Sequence, residues 1–182
     1  YYGYDYTDSS GQYDLAGLAA DTYRVRFTDY NYYNYLEEYY DDARNIDGAT
    51  DIVVADGGII TGIDAALTVG SHITGTVTME GSGAALTDIS VNAYQFDGSW
   101  WDSVAYDNTD SNGLYDLSGL TAGTYRVGFY DYNGAYLGEY FDDVEIVEDG
   151  TDIVVAASST IANIDAALAQ GSHITGTVTV DG

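Results

Sequence analysis

One octapeptide occurs twice in this chain. Ser71 to Thr78 reads SHITGTVT and returns letter for letter at Ser172 to Thr179, an offset of 101 residues. DIVVA at Asp51–Ala55 returns at Asp152–Ala156, and IDAAL at Ile63–Leu67 returns at Ile164–Leu168, with the same offset. The longest shared phrase is TDSSGQYDLAGLAADTYRVRF, Thr7 to Phe27, matched by TDSNGLYDLSGLTAGTYRVGF, Thr109 to Phe129. Its offset is 102, because the first copy carries one extra residue near Tyr32-Tyr33-Asn34. Self-similarity at a fixed period indicates a repeat architecture rather than one fold spread over the whole length. The chain therefore divides into 71–171, a complete repeat; 1–70, the later part of a first repeat; and 172–182, the first strand of a following repeat or a donated strand.

Within the complete repeat, apolar and polar residues alternate in short runs. Tyr125, Val127 and Phe129 recur at every second position, the period of a half-buried strand, and Arg126 between them is expected to face water. Strands are expected near 72–78, 89–96, 100–106, 113–117, 124–130, 152–156 and 163–168. Turn signals separate them at Glu80-Gly81-Ser82-Gly83, Asp97-Gly98 and Asp149-Gly150. Seven short strands without a helical stripe predict an all-β chain of tandem Ig-like sandwiches.

Charge narrows the partners. Thirty Asp and Glu stand against four Arg and no Lys, a formal net charge of −26. Such a surface repels nucleic-acid phosphates and anionic lipid, so neither class of partner is expected. Its self-repulsion calls for salt or bound cations; at 1 M salt the screening length falls to roughly 3 Å. The absence of cysteine removes disulfides and thiolate metal sites, and no apolar run approaches a membrane span.

The phrase T-D-x-x-G-x-Y-x-L-x-G-L-x-x-G-T-Y-x-V resembles the carboxypeptidase regulatory-like domain, a prealbumin-like or Cna-B-like sandwich. The opening TGTVT, the stretch Tyr136–Phe141 and the closing IDAAL strengthen the resemblance, which extends over the chain as tandem copies. It implies a seven-stranded sandwich of the kind found in stalks, adhesin arms and fibre subunits of secreted or surface-anchored prokaryotic proteins. Two departures stand out. The family's usual proline before G-T-Y is replaced by Thr121-Ala122-Gly123 and Ala19-Ala20-Asp21, and a chain without lysine cannot form the Lys–Asn isopeptide bond of pilin-like members.

Two acidic clusters are candidate Ca²⁺ sites. Asp107, Asp110 and Asn112 could offer oxygen ligands, or form a hairpin turn in which the side chains bond to backbone. An EF-hand frame starting at Asn108 places Gly119 where a bidentate Glu is required, and fails. Glu139, Asp142 and Asp143, repeated as Glu38, Asp41 and Asp42, could hold Ca²⁺ with Asp152 or Asp51, or form a solvated loop. Trp100 and Trp101, adjacent on an expected strand, should point to opposite faces, one into the core and one toward a neighbour or a sugar. Tyr32 and Tyr33 are further candidates for contact, and His72 and His173 occupy one repeat position, suited to a junction. No Ser–His–Asp phrase, phosphate loop or HExxH occurs, so no enzyme is expected.

Two accounts fit the frame of the repeats. The chain is a window on a longer tandem array, or strands pass between subunits, with Ile174 and Val178 entering a neighbour's core. The expected function is a segment or subunit of an extracellular filament or stalk that partners with itself. The alternative is an adhesin arm that binds glycan or a cell surface through aromatic loops, and an enzyme accessory domain ranks third.

Overall fold

A computed structural model describes residues 3–30 and 34–180 of the chain. Its described residues form two compact units, one from 3–30 with 37–68 and one from 34–36 with 69–180. Tyr32 and Tyr33 lie outside the described residues.

The first unit is sparse. β1 (Asp21–Tyr23) pairs antiparallel with β4 (Ile52–Val54), and β2 (Arg26–Phe27) pairs antiparallel with β3 (Glu38–Tyr39). Among its described residues Ala49 and Ile52 are the buried apolar ones, whereas Tyr13, Leu15, Val25 and Phe27 are only half-buried.

The second unit is a sandwich of two sheets. β5 (Ser71–Met79) is the centre of one sheet. Antiparallel β8 (Leu114–Leu120) lies on one edge, while β12 (Thr160–Ile161) and β13 (Ala166–Leu168) follow each other along the other, both parallel to it. The second sheet runs β7 (Trp101–Asn108), β6 (Ser90–Phe96), β9 (Gly123–Tyr130), then β10 (Glu139–Tyr140) and β11 (Ile153–Val155) on the far edge of β9. A short 3-10 turn, Val147–Asp149, leads into β11. Alternation along the strands sends Ile73, Val77, Leu117 and Leu168 from one sheet against Val91, Tyr125, Val127 and Phe129 from the other, all at most 1% exposed. The chain is all-β with Ig-like sandwich architecture, as its alternation predicts.

Details depart from expectation for identifiable reasons. β10 and β12 are two-residue strands, too short to show a period. The last strand begins at Ala166 rather than near residue 163. Asn163 takes a left-handed φ of 64°, and the Ile164 carbonyl is drawn to the Tyr115 hydroxyl, 2.5 Å away. Arg126 points away from the core but not into water. Its side chain is 15% exposed, with the guanidinium 4.3 Å from the centre of the Trp101 ring.

Identical sequences take different states in the two copies. IDAAL contributes β13 at 164–168 but carries no strand at 63–67; SHITGTVT is β5 at 71–78 but carries no strand at 172–179. Pairing therefore decides strand formation here, since local propensity is the same. Residues 3–68 contain counterparts of β8 to β13 and of the end of β7, Tyr4 and Asp5 matching Tyr106 and Asp107, but none of β5 or β6.

Candidate functional site

The phrase shared by Thr7–Phe27 and Thr109–Phe129 forms a local scaffold. The Thr109 hydroxyl donates to the Leu86 carbonyl at 2.6 Å and accepts from the Ile89 amide at 3.0 Å, closing the loop before β6. Asp110 Oδ1 accepts from the Asn112 and Leu114 amides at 2.7 and 2.9 Å, a side-chain-capped turn. Gly113 completes it at φ 76°, passing so close to β5 that a Cβ would stand 2.5 Å from the Val77 carbonyl oxygen. Asp107 Oδ2 accepts the Asp116 amide at 2.8 Å, and Tyr115 donates to Ile164 across the core. The first copy repeats the set. Asp8 caps Ser10 and Gln12, Asp5 Oδ2 holds the Asp14 amide at 2.7 Å, and the Tyr13 hydroxyl donates to the Ile63 carbonyl at 2.6 Å.

Hydrogen bonds to their ionised forms lower the pKa of both capping aspartates. For Asp110 the Leu114 amide is the main cause and the Asn112 amide the second; for Asp8 the Ser10 hydroxyl leads, followed by the Gln12 amide. Their contribution to the fold is present above the ordinary Asp pKa and is lost as pH falls through the lowered value. Tyr115 is shifted upward by burial, with Asp165 adding to the effect, so its hydroxyl stays a donor.

The second acidic cluster sits in an open cleft lined by Thr78, Phe141, Asp142, Asp143 and Asp165. Its counterpart in the first copy is lined by Tyr40, Asp41, Asp42, Gly62 and Asp64. Paired aspartates in left-handed conformation form each turn, at φ 75° and 58° for Asp142 and Asp143 and 70° and 57° for Asp41 and Asp42. Thr151 donates to Asp142 at 3.1 Å, and Thr50 to Asp41 at 2.9 Å. The Glu139 pKa is raised, mainly by desolvation and then by Asp143. Asp152 does not join this cluster. It pairs with Arg126 at 2.8 Å, as Asp51 pairs with Arg24 at 2.6 Å. Both arginines also donate to a carbonyl of the following loop, Val147 and Ile46 respectively. Asp165 is the member that sequence reasoning missed, although its recurrence in IDAAL was the available signal.

Among the described residues, no three His, Cys, Asp or Glu side chains come together as a metal-holding group. Ca²⁺ at Asp107, Asp110 and Asn112 would compete with backbone amides already bound to both carboxylates. Thermal melts in CaCl₂ and in NaCl at matched ionic strength are therefore expected to coincide. A higher Tm at millimolar CaCl₂ would assign the acidic loops to Ca²⁺ instead.

The remaining candidates separate. Trp100 is not on a strand. It closes the turn begun by Asp97, whose Oδ1 accepts the Trp100 amide at 2.8 Å, and it is 75% exposed. Trp101 packs on the outer face of its sheet against Phe96 and Arg126, so neither tryptophan enters the core. His72 Nδ1 lies 2.8 Å from Asp116 Oδ1, joining β5 to β8. His173, Ile174 and Val178 are exposed, the last two at 103% and 100%.

Neither a known protein family nor a curated protein matches the chain. Solved structures do. The shaft pilin SpaA from Lactobacillus rhamnosus GG aligns at 11% identity over 94% of this chain and 69% of that one, TM-score 0.39. A streptococcal ancillary pilin aligns at 10% identity over 86% of this chain and 44% of that one, TM-score 0.42. A type II cohesin–X-dockerin complex from Acetivibrio cellulolyticus aligns at 19% identity over 52% and 53%, TM-score 0.34. The chain spans about half the length of the ancillary pilin and of the cohesin-complex chain. These likenesses are partial, and the β-sandwich architecture rests on the strand pairing described above. No described helix is long and apolar enough to cross a membrane.

Proposed function

We propose that this chain is a structural, non-enzymatic segment or subunit of a bacterial surface filament or stalk, built from tandem sandwiches of the carboxypeptidase regulatory-like kind. The observation that carries the reading is the duplication of structural bonds. Arg24–Asp51 recurs as Arg126–Asp152, Tyr13–Ile63 as Tyr115–Ile164, and Asp41–Thr50 as Asp142–Thr151. The side chains that the two copies share are engaged in rebuilding one scaffold, as expected of an array whose repeats act as struts. Negative-stain imaging of the 182-residue chain across a concentration series is expected to show elongated assemblies. Uniform monomers at every concentration would overturn a subunit that assembles by itself.

A specific observation favours a second reading, an adhesin arm. Trp100, Tyr106 and Tyr132 are 75%, 74% and 83% exposed in the complete repeat, and amphipathic rings of this kind suit carbohydrate or protein surfaces.

A further inference from the structure

Strand register fixes which residues share the face of the second sheet turned away from the core. Tyr106, Asn92, Gly128 and Tyr140 stand in one row across β7, β6, β9 and β10. Ser103, Tyr94 and Arg126 form the next row, and Trp101 with Phe96 the row after it. Aromatic rings run along this face in contact with one another. The Tyr94 and Tyr140 rings lie 5.8 Å apart, Tyr140 meets Tyr130 edge-on at 6.0 Å, and Tyr132 stacks on Tyr130 at 6.3 Å with 17° between the planes. The Tyr94 hydroxyl donates to that of Tyr130 at 3.1 Å. Farther along the strands, Phe96 and Trp101 are 5.4 Å apart. A Cβ at Gly128 would stand 2.7 Å from the Tyr130 hydroxyl and 2.9 Å from the Tyr140 ring, so a glycine there lets the two rings close over the backbone.

This face is also free of net charge. The chain has 30 Asp and Glu, yet among the described residues no outward position of β6, β7 or β9 is acidic. Arg126 is the cation there, and Asp152 matches its charge at 2.8 Å. Burial pushes the Tyr94 and Tyr130 phenols up, which keeps their hydroxyls neutral. The remaining polar groups are uncharged: the Asn92 amide donates to the Ser90 hydroxyl at 3.3 Å and accepts from Ser103 at 3.4 Å. None of this is part of the scaffold that both copies rebuild. Arg26 and Thr28 stand where the complete repeat has Gly128 and Tyr130, and Arg26 pairs with Glu37 at 3.4 Å.

A patch of exposed rings bordered by neutral polar groups marks an interaction surface, and its lack of charge selects the occupant. A cationic or anionic partner would find no counter-charge on it. A second copy would bring its own charge of −26 against this one. A neutral sugar chain meets neither obstacle. Pyranose rings in β-1,4 linkage present flat C–H faces to aromatic rings and hydroxyls along their edges to amides and phenols. We propose that the outward face of β7, β6, β9 and β10 binds an uncharged β-1,4-linked polysaccharide laid along its rings, a site that rests on the adhesin reading.

Isothermal titration calorimetry of the full chain with cellohexaose and with N-acetylchitohexaose is the test. At least one of the two should bind, with an affinity that added NaCl does not change, and polygalacturonate, a polyanion, should not bind. Tyr106 and Tyr132 are 74% and 83% exposed, so their truncation spares the fold. Tyr106→Ala combined with Tyr132→Ala should weaken binding at least about tenfold with an unchanged melt. Tyr30→Ala, at the position of the first copy that matches Tyr132, should bind as the parent does.

Undiminished binding by the double variant would overturn this face and leave an adhesin that holds sugar elsewhere. Binding of polygalacturonate alone would overturn the uncharged ligand. Self-association of the parent that the double variant abolishes in sedimentation velocity would overturn the polysaccharide in favour of a second copy. No binding by the parent would overturn the site. Chain-coated beads that still adhered to cells would then keep an adhesin directed at protein, and beads that did not would remove the adhesin reading as well.

Discussion

Gly75→Val is expected to abolish the cooperative melt of the complete repeat. The new Cβ would fall 2.1 Å from the Ile164 oxygen and 2.6 Å from its carbon, both backbone atoms, so no flexible side chain can yield. The strands must separate, which loosens β13 and breaks the buried Tyr115–Ile164 hydrogen bond. Overpacking costs about 1–3 kcal/mol or more, and a buried polar group left unpaired about 1–3 more. Together these approach the 5–15 kcal/mol that typically holds a domain. Circular dichroism melts of the full chain provide the measurement, with Gly176→Val, at the matching repeat position where nothing lies within 4 Å of an added Cβ, as the control. A Gly75→Val chain that melts within a few degrees of the parent would refute the close packing of β5 against Ile164.

Phe129→Ala should be the most damaging simple truncation in the core, at about 3–5 kcal/mol. Phe129 is 0% exposed and meets the Tyr115 ring edge-on, with centroids 5.9 Å apart. Its counterpart Phe27 makes the same contact with Tyr13 at 5.7 Å but is only half-buried. Phe27→Ala should therefore cost roughly half as much or less, because less apolar surface is withdrawn from water there. Urea denaturation of the two variants measures the difference. Equal losses would mean that the two cores are equally complete.

The legible part of the fold was that governed by local alternation. Tyr125-Arg126-Val127-Gly128-Phe129 shows its strand and its buried face in five letters, and the burial follows it. Features that depend on distant partners were less legible. IDAAL cannot reveal from its own letters that it is a strand beside β5 and not elsewhere. Arg126 looked solvated because Trp101 and the 147–152 segment that cover it lie on other parts of the chain. The capped turns at Asp8 and Asp110 were readable as one of two alternatives, since Asp, Asn and Gly at those spacings suit a turn. The cleft of Asp142 and Asp143 was half-read: its adjacent acids were visible, but Asp165 enters through the pairing of β13 with β5.

The parallel placement of β5 and β13 has a consequence for a chain under tension. β5 opens the repeat at Ser71 and β13 closes it at Leu168, with Ala166 beside Val77 and Leu168 beside Met79. A pull on the two ends of the repeat drags these neighbours past each other along their length. The load falls on the bonds between them together, in shear, and does not peel them apart one after another. In that geometry the first and last strands of the complete repeat form a clasp that resists stretching along the chain.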